Sequence, residues 1–449
     1  TEFPTMNWVA REWGSQAIVE ATQKAKDYLR VAIQYLSQGR TEKTTLYRHL
    51  GWTKVGGHWC YLHAGGAITA GPQVQVEVDP GGPLSGFVLP DPPSVEEEPA
   101  LIRELWKLLH VAPVEVTAPL VLYALGAPLG HAPFCLYLAG PSGVRKTSLA
   151  LVVQSMFGHK PTHPPVGWEA TANALEAVAF AAKDALLLVD DFAPTGRDAA
   201  AKLQEKAARV LRGHGNGVGR LRMRVDRTLV GDKAPRGSIL VTGEDLPHGH
   251  SIRARALFIA LNRNEVDLAK LSQAQRAARR GVYAKAMAAW IRFLAANLED
   301  HIERLQELVE ELRPSYASEH GRTTDALARL HAVWVIYREY AADRGVDLSR
   351  LEPAVLNALR TIRDNQVDYQ RDADPEQKFL DLLFTALRMG RAHMVPLNAK
   401  PGEAVDAHLK NPEAWGWQYH GVWTPQGARI GWVPSDWEKE GIYLDPSAA

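Results

Sequence analysis

The residues with the clearest chemical capacity are Gly140-Pro141-Ser142-Gly143-Val144-Arg145-Lys146-Thr147-Ser148. They follow the apolar run Phe134-Cys135-Leu136-Tyr137-Leu138 and open a segment of helical spacing over 147–157. A glycine-rich turn between a buried strand and a helix N-terminus aims backbone N–H groups at one point and cradles phosphate oxygens. In such a loop Lys146 neutralises terminal phosphates and the Thr147 hydroxyl ligates magnesium. The usual signature has a second glycine where this chain has Arg145, so the backbone there must tolerate a Cβ. Without the strand before it and the helix after it, the same loop would read as an ordinary glycine turn.

The acids that such a loop needs come further along. Leu186-Leu187-Leu188-Val189-Asp190-Asp191 is an apolar run ending in two carboxylates, the way a buried strand delivers acids to the edge of a sheet. Asp190 is assigned to the magnesium shell together with Thr147, and Asp191 to polarising the attacking water. A third run, Ser238-Ile239-Leu240-Val241, ends at Thr242. A polar residue there lies beside a γ-phosphate in proteins that sense it, and the plain alternative is a strand-capping threonine.

Basic residues gather between these strands. Arg209, Arg212, Arg220, Arg222, Arg224, Arg227, Lys233 and Arg236 face only Asp226 and Asp232 over 209–236. Arg220, Arg222 and Arg224 recur with period two, so on a hairpin they share one face and track a phosphate backbone, with Arg227 beside them. Arginines facing water or a neighbouring subunit are the competing reading. Gly213-His214-Gly215-Asn216-Gly217-Val218-Gly219 is expected to form a flexible loop or hinge before them. After the third strand, Arg253 and Arg255 are two candidates for an arginine finger that reaches a neighbour's γ-phosphate. An intrasubunit salt bridge is the alternative for either.

The elements that must hold these groups form an α/β pattern. Strand-like and helix-like segments alternate from about residue 95 to 264, which indicates a parallel sheet flanked by helices. Residues 1–94 read as a small α+β unit and linker, with a helix near 16–38, strands around Trp52, Trp59 and Tyr61, and a Pro/Gly-rich linker over 71–99. Residues 265–373 read as a helical region. Within it Ile291, Leu294, Leu298, Leu305, Leu308 and Leu312 place one apolar stripe along a single long helix. Residues 374–449 open with a helix over 376–389 and continue as a Gly-, Pro- and Trp-rich stretch of short strands. No internal repeat of solenoid or propeller period is present.

Composition sets bounds. The 449 residues are 46% hydrophobic and 23% charged, which excludes a disordered or fibrous chain and suits two to four domains. Fifty-one basic residues balance fifty-one acidic ones, so attraction to nucleic acid must come from local patches. Cys60 and Cys135 are too few for a disulfide framework and fit a reducing cytoplasm. No apolar run approaches the roughly 18 residues of a membrane span. The chain opens on Thr1, which leaves room for an upstream domain.

Taken together, several short segments resemble one family. Trp59-Cys60-Tyr61-Leu62-His63-Ala64-Gly65-Gly66-Ala67-Ile68, the modified phosphate loop, Asp190-Asp191-Phe192-Ala193-Pro194, Gly215-Asn216-Gly217, Thr242-Gly243-Glu244 and Ser251-Ile252-Arg253-Ala254-Arg255 are similar to the helicases of domain-of-unknown-function 927, the Cch type of mobile genetic elements. The resemblance spans most of residues 10–262. It implies an AAA+ P-loop ATPase core near the superfamily 3 and MCM-like replicative helicases, a hexameric ring with ATP between subunits, and a winged-helix C-terminal module. Lys146, Thr147, Asp190 and Asp191 would then form the cis site, Thr242 the sensor, and Arg253 or Arg255 the trans finger. Arg220, Arg222 and Arg224 would line a DNA channel.

The function expected is an ATP- and Mg²⁺-dependent DNA helicase of a phage, plasmid or other mobile element, cytoplasmic, with a primase or polymerase as domain or partner. An ATP-switched DNA-binding initiator or loader without processive unwinding is the alternative. A metabolic P-loop kinase is a third reading, for which no acceptor-site signature is present. The tryptophans at 415, 417, 423, 432 and 437 either stack on bases or pack a small core, and packing is the default.

Overall fold

The computed structural model describes residues 5–20, 22–40, 45–158, 160, 162–194, 197–219, 222–223, 229–230, 233–371, 375–400 and 403–445. Two compact units divide between Tyr47 and Arg48. The first holds α1 (Asn7–Trp13) and α2 (Gln23–Ser37). Helix α2 begins later than its spacing predicts because Thr22 caps it, its hydroxyl accepting the Ala25 N–H at 3.2 Å.

The second unit opens with an antiparallel meander, β1 (Gly51–Val55), β2 (His58–His63) and β3 (Gly66–Ile68). Its buried residues join the main core. The Trp52 indole donates to the Pro128 carbonyl at 2.6 Å, and the Tyr61 hydroxyl donates to the Asp184 carbonyl at 2.8 Å. The stretch over 71–99 is no free linker: Leu84, Phe87 and Leu89 are buried in the same core, and Ala64 N–H donates to the Phe87 carbonyl at 2.8 Å. Its prolines and glycines break regular structure, yet its three large apolar side chains still have to leave water.

Beyond it come α3 (Glu98–Trp106), α4 (Val114–Gly126), β4 (Cys135–Ala139), α5 (Lys146–Gln154), β5 (Val166–Gly167), α6 (Ala172–Ala181), β6 (Leu186–Phe192) and α7 (Arg197–Asn216). A short antiparallel hairpin follows, β7 (Arg222–Met223) with β8 (Leu229–Val230), and then β9 (Ser238–Gly243), α8 (His250–Arg253) and β10 (Ala256–Ala260). The five strands of the main sheet lie in the order β10-β4-β9-β6-β5 and are all parallel. Every residue of β4 and β9 is buried, as a sheet covered by helices on both faces requires. Because the strands are parallel, the ends of β4, β6 and β9 share one edge. The phosphate loop, the two aspartates and Thr242 meet there.

The helical region comprises α9 (Leu268–Arg279), α10 (Val282–Ala296), α11 (Leu298–Leu312), α12 (Gly321–Asp343) and α13 (Glu352–Arg371). The apolar stripe from Ile291 to Leu312 is carried by two helices rather than one. Asn297, at φ −144° and ψ 54°, ends α10, and its carbonyl accepts the His301 N–H at 3.1 Å to start α11. Ile291, Leu294, Leu298, Leu305 and Leu308 are nevertheless all buried. Trp106 packs edge-on against Trp334 and Tyr337, joining α3 to α12. Beside them Glu98 is fully buried, its carboxylate accepting from Arg292, from the Tyr340 hydroxyl at 2.8 Å and from Arg344 Nε at 2.7 Å.

The C-terminal region has its own small core of Leu383, Leu387, Ala392, Met394, Val405, Leu409, Trp415 and Val433. It is built from α14 (Pro375–Arg388), a mixed sheet of β11 (Ala392–Pro396), β14 (Ala428–Val433) and β15 (Tyr443–Leu444), and a hairpin of β12 (Trp417–Tyr419) with β13 (Trp423–Pro425). Trp415 is buried in that core, Trp417 and Trp423 pack against it, and the Trp417 indole donates to the Met394 carbonyl at 2.8 Å. Among the described residues no helix is long and apolar enough to cross a membrane.

Candidate nucleotide site

The loop from Gly140 to Arg145 joins β4 to α5. Arg145 adopts φ 74° and ψ 24°, the left-handed conformation that a glycine at this position would supply freely. For a residue with a Cβ this costs about 1–2 kcal/mol, so the loop keeps the glycine-type backbone at the expense of local strain. Gly140 is required for a different reason. A Cβ there would lie 2.1 Å from the Leu261 carbonyl oxygen, where the chain leaving β10 passes the loop. Its N–H donates to the Gly243 carbonyl at 3.2 Å, which ties the loop to the end of β9. Lys146 folds back into the loop, Nζ donating to the carbonyls of Gly140 at 2.7 Å and Pro141 at 2.9 Å. Burial pushes its pKa down, while the charges of Glu244, Asp191 and Asp190 oppose that shift.

Consecutive side chains on a regular strand point to opposite faces, so Asp190 and Asp191 could not both serve one site from an unbroken β6. The register between β6 and β9 slips at this point. Val189 lies opposite Val241 and Phe192 opposite Gly243, so the two aspartates share the single residue Thr242. This bulge, with Asp191 at φ 64°, re-aims the second acid. Thr242 satisfies the irregular backbone: its Oγ1 accepts the Asp191 N–H at 3.1 Å and donates to the Asp190 carboxylate. Thr147 Oγ1 also donates to Asp190, at 2.9 Å to Oδ1. Phosphate loop, acidic strand and Thr242 are thus hydrogen-bonded through one carboxylate. Asp190 is buried and Asp191 exposed. The pKa of Asp191 is raised, first by partial desolvation beside the loop, then by the charges of Asp190, Glu244 and Glu169, against the lowering effect of Lys146.

Glu169 carries no role in the sequence reading, and Glu244 enters it only within the Thr242-Gly243-Glu244 segment, with no role of its own. Glu244 directly follows the Thr242-Gly243 end of β9, a signal available in the sequence. Glu169 follows the two-residue edge strand β5, for which no local pattern exists. Among the described residues no group of three metal-ligating side chains occurs.

Arg253 and Arg255 lie at the other edge of the sheet. The Arg255 carbonyl accepts the N–H of Cys135, the first residue of β4, whereas the phosphate loop follows the last. Five residues of extended strand, about 16 Å, separate the two edges, so neither arginine serves the loop of its own chain. Arg253 is buried, with Nε donating to the Pro247 carbonyl at 3.0 Å and Nη1 to the Tyr369 carbonyl at 2.8 Å. Arg255 is half-buried, its Nε donating to Asn216 Oδ1 at 3.0 Å.

The stretch expected to be a flexible glycine loop is instead helical through Asn216, because α7 continues over Gly213-His214-Gly215. His214 is buried there, its Nε2 3.1 Å from the Phe134 carbonyl. The hairpin that follows pairs Arg222 with Val230. Arg220, Arg224 and Arg227 lie outside the described residues.

The parallel sheet carries the glycine-rich loop at the C-terminal end of β4 and the carboxylate pair at the end of β6, two strands away, within an α/β fold. No family model matches the chain, and no curated protein matches it. Its fold is similar to that of a solved structure described as SCCmec type IV Cch, an active helicase, with a TM-score of 0.57 and 13% identity over 92% of this chain and 72% of that one. The A-form apo structure of the NrS-1 C-terminal region aligns at a TM-score of 0.32 and 9% identity, over 69% of this chain and 81% of that one, too loosely to bear on the fold.

Proposed function

We propose that the chain is the ATPase motor of a DNA helicase of the mobile-element class, assembled as a hexameric ring of AAA+ subunits and related to the domain-of-unknown-function 927 helicases. The observation that carries this reading is the single hydrogen-bonded unit of Thr147, Asp190, Thr242 and the Asp191 amide at the edge of the sheet. The fold shared with an active helicase supports the choice of helicase over metabolic kinase.

In this reading the loop N–H groups from Gly140 to Ser148 hold the phosphates of ATP, and Lys146 turns from the loop carbonyls to the terminal phosphates. Thr147 and Asp190 supply hard oxygen donors that fit a magnesium ion held mostly by phosphate and water. Magnesium, when bound, neutralises charge on the β- and γ-phosphates. Asp191 accepts a proton from the attacking water as its oxygen bonds to the γ-phosphorus. The bond from that phosphorus to the β–γ bridging oxygen breaks, and ADP and inorganic phosphate leave. Thr242 holds Asp190 and Asp191 in register and so reports whether the γ-phosphate is present. Arg255, at the far edge, is the better candidate for the trans finger, because Arg253 is buried against two carbonyls of its own chain.

The hairpin β7–β8 is assigned to the channel, where Arg220, Arg222, Arg224 and Arg227 grip phosphates without reading sequence. Replacing Arg220, Arg222 and Arg224 by Glu is expected to weaken DNA binding uniformly across sequences and to flatten its salt dependence, with ATP affinity unchanged. Fluorescence anisotropy over a salt series checks this, and unaltered DNA affinity would remove the hairpin from the channel. The winged-helix reading of residues 374–449 stays a proposal, supported by one helix followed by a small sheet and a hairpin.

A further inference from the structure

Glu169 sits in a turn that the reading above leaves without a task, yet the turn is built against the acid pair. The edge strand β5 runs beside β6 so that Gly167 lies opposite Asp190. The Trp168 N–H then donates to the Asp190 carbonyl at 3.2 Å, and the Ala170 N–H closes the turn on the Gly167 carbonyl at 3.2 Å. The Glu169 carboxylate folds back over Gly167: a Cβ on that glycine would fall 2.4 Å from Glu169 Oε2 and 3.6 Å from the Asp190 carbonyl oxygen. Glu169 is itself exposed, whereas Trp168 is buried and packs edge-on against Phe192, with ring centroids 5.3 Å apart. An accessible carboxylate therefore stands on a packed base beside Asp190, and its charge is among those felt by Asp191.

What fixes this turn comes from α7. Lys206 reaches across from that helix, and its Nζ donates to the Trp168 carbonyl at 2.6 Å and to the Ala170 carbonyl at 2.9 Å. The two acceptors flank Glu169 on either side. Lysine side chains ordinarily extend their charge into water. This one is half-buried and drawn onto two neutral carbonyls, and both bonds would break if the turn rotated.

We propose that Glu169 is a second acid of the hydrolytic step, accepting a hydrogen bond from the attacking water, and that Lys206 is the positioning residue that holds it there. This rests on the motor reading above and adds to it a residue supplied by the edge strand. As the water oxygen bonds to the γ-phosphorus, one of its hydrogens passes to Asp191. The other stays on the oxygen that becomes part of inorganic phosphate. Glu169 accepts a hydrogen bond from that second hydrogen and takes no proton. A water held by two acceptors presents its lone pair to phosphorus in one orientation, whereas a single acceptor leaves it free to turn.

A double-variant cycle tests this. Glu169→Ala is expected to bind ATP with wild-type affinity and to hydrolyse it at least about tenfold more slowly, with kcat falling and KM nearly constant. Glu169→Gln keeps one acceptor oxygen and is expected to retain more of the rate. Lys206→Met removes both donors and is expected to lose as much kcat as Glu169→Ala, whereas Lys206→Arg keeps two donors and recovers most of it. Added to Glu169→Ala, Lys206→Met is expected to change the rate by less than about twofold, because nothing remains for it to position. Gly167→Ala places a methyl group where the carboxylate lies and is expected to slow hydrolysis with Lys206 intact, so the claim stands or falls even if Lys206→Met does not fold. Wild-type kcat in Glu169→Ala would overturn the proposal, as would a loss confined to ATP affinity. Losses that multiply in the double variant would overturn the assignment of Lys206. A wild-type chain that hydrolyses no ATP would fail the motor reading itself, and the inference with it.

Discussion

The Asp191→Asn variant is expected to bind ATP and magnesium as the wild type does and to hydrolyse ATP about 10²–10⁴-fold more slowly, the usual cost of losing a general base. Asparagine keeps the shape of the side chain and leaves the Asp190, Thr147 and Thr242 contacts untouched, because Thr242 is bonded to the backbone N–H at position 191 and not to its carboxylate. The bulge that re-aims residue 191 is therefore preserved, and the loss reports the carboxylate alone. Binding of a fluorescent nucleotide together with single-turnover hydrolysis separates the two effects. Hydrolysis at the wild-type rate would transfer the role of base to another of the nearby acids, Glu169 or Glu244.

The second large effect concerns stability. Glu98→Ala is expected to lower the unfolding free energy by about 3–5 kcal/mol, because it removes the buried anion on which two partly buried arginines converge and leaves them without a partner there. Arg344 shows the coupling. Burial lowers its pKa, yet hydrogen bonding and charge from Glu98 raise it above the ordinary arginine value overall. Tyr340, whose hydroxyl donates to the same carboxylate, is held neutral first by burial and then by the charges of Tyr337 and Glu98. Since Arg292 lies on α10 and Arg344 caps the C-terminus of α12, the loss falls on the packing of the helical region against α3. Denaturant unfolding followed by circular dichroism measures it. A loss below about 1 kcal/mol, typical of exposed pairs, would mean that the network contributes no more than a surface contact.

The parts of the site that could be read from sequence are those written in consecutive residues. The glycine-rich loop and the acids after Leu186-Leu187-Leu188-Val189 are each a strand end with its following residues, and strand position and proposed role coincide there. Thr242 was visible for the same reason. What sequence did not reveal depends on partners far along the chain. Two adjacent aspartates serve one site only because β6 slips against β9 at Thr242, and register between non-consecutive strands leaves no local trace. Gly213 and Gly215 look like a hinge, but Gly215 is small to admit Arg255, forty residues later, and the helix runs through both. Residues 71–99 look like a linker by their prolines, although Leu84, Phe87 and Leu89 anchor them. The break at Asn297 leaves no mark in the sequence pattern, because the apolar period continues across it.

The central claim is that ATP hydrolysis at this site drives movement on DNA. The most direct measurement is steady-state hydrolysis by the wild-type chain with and without single-stranded DNA, alongside Lys146→Ala, with the mass in solution recorded under the same conditions. The account predicts a ring-sized species whose hydrolysis is strongly stimulated by DNA and is lost in the variant. Hydrolysis indifferent to DNA, or a chain that binds ATP without turning it over, would contradict it and favour an ATP-switched loader.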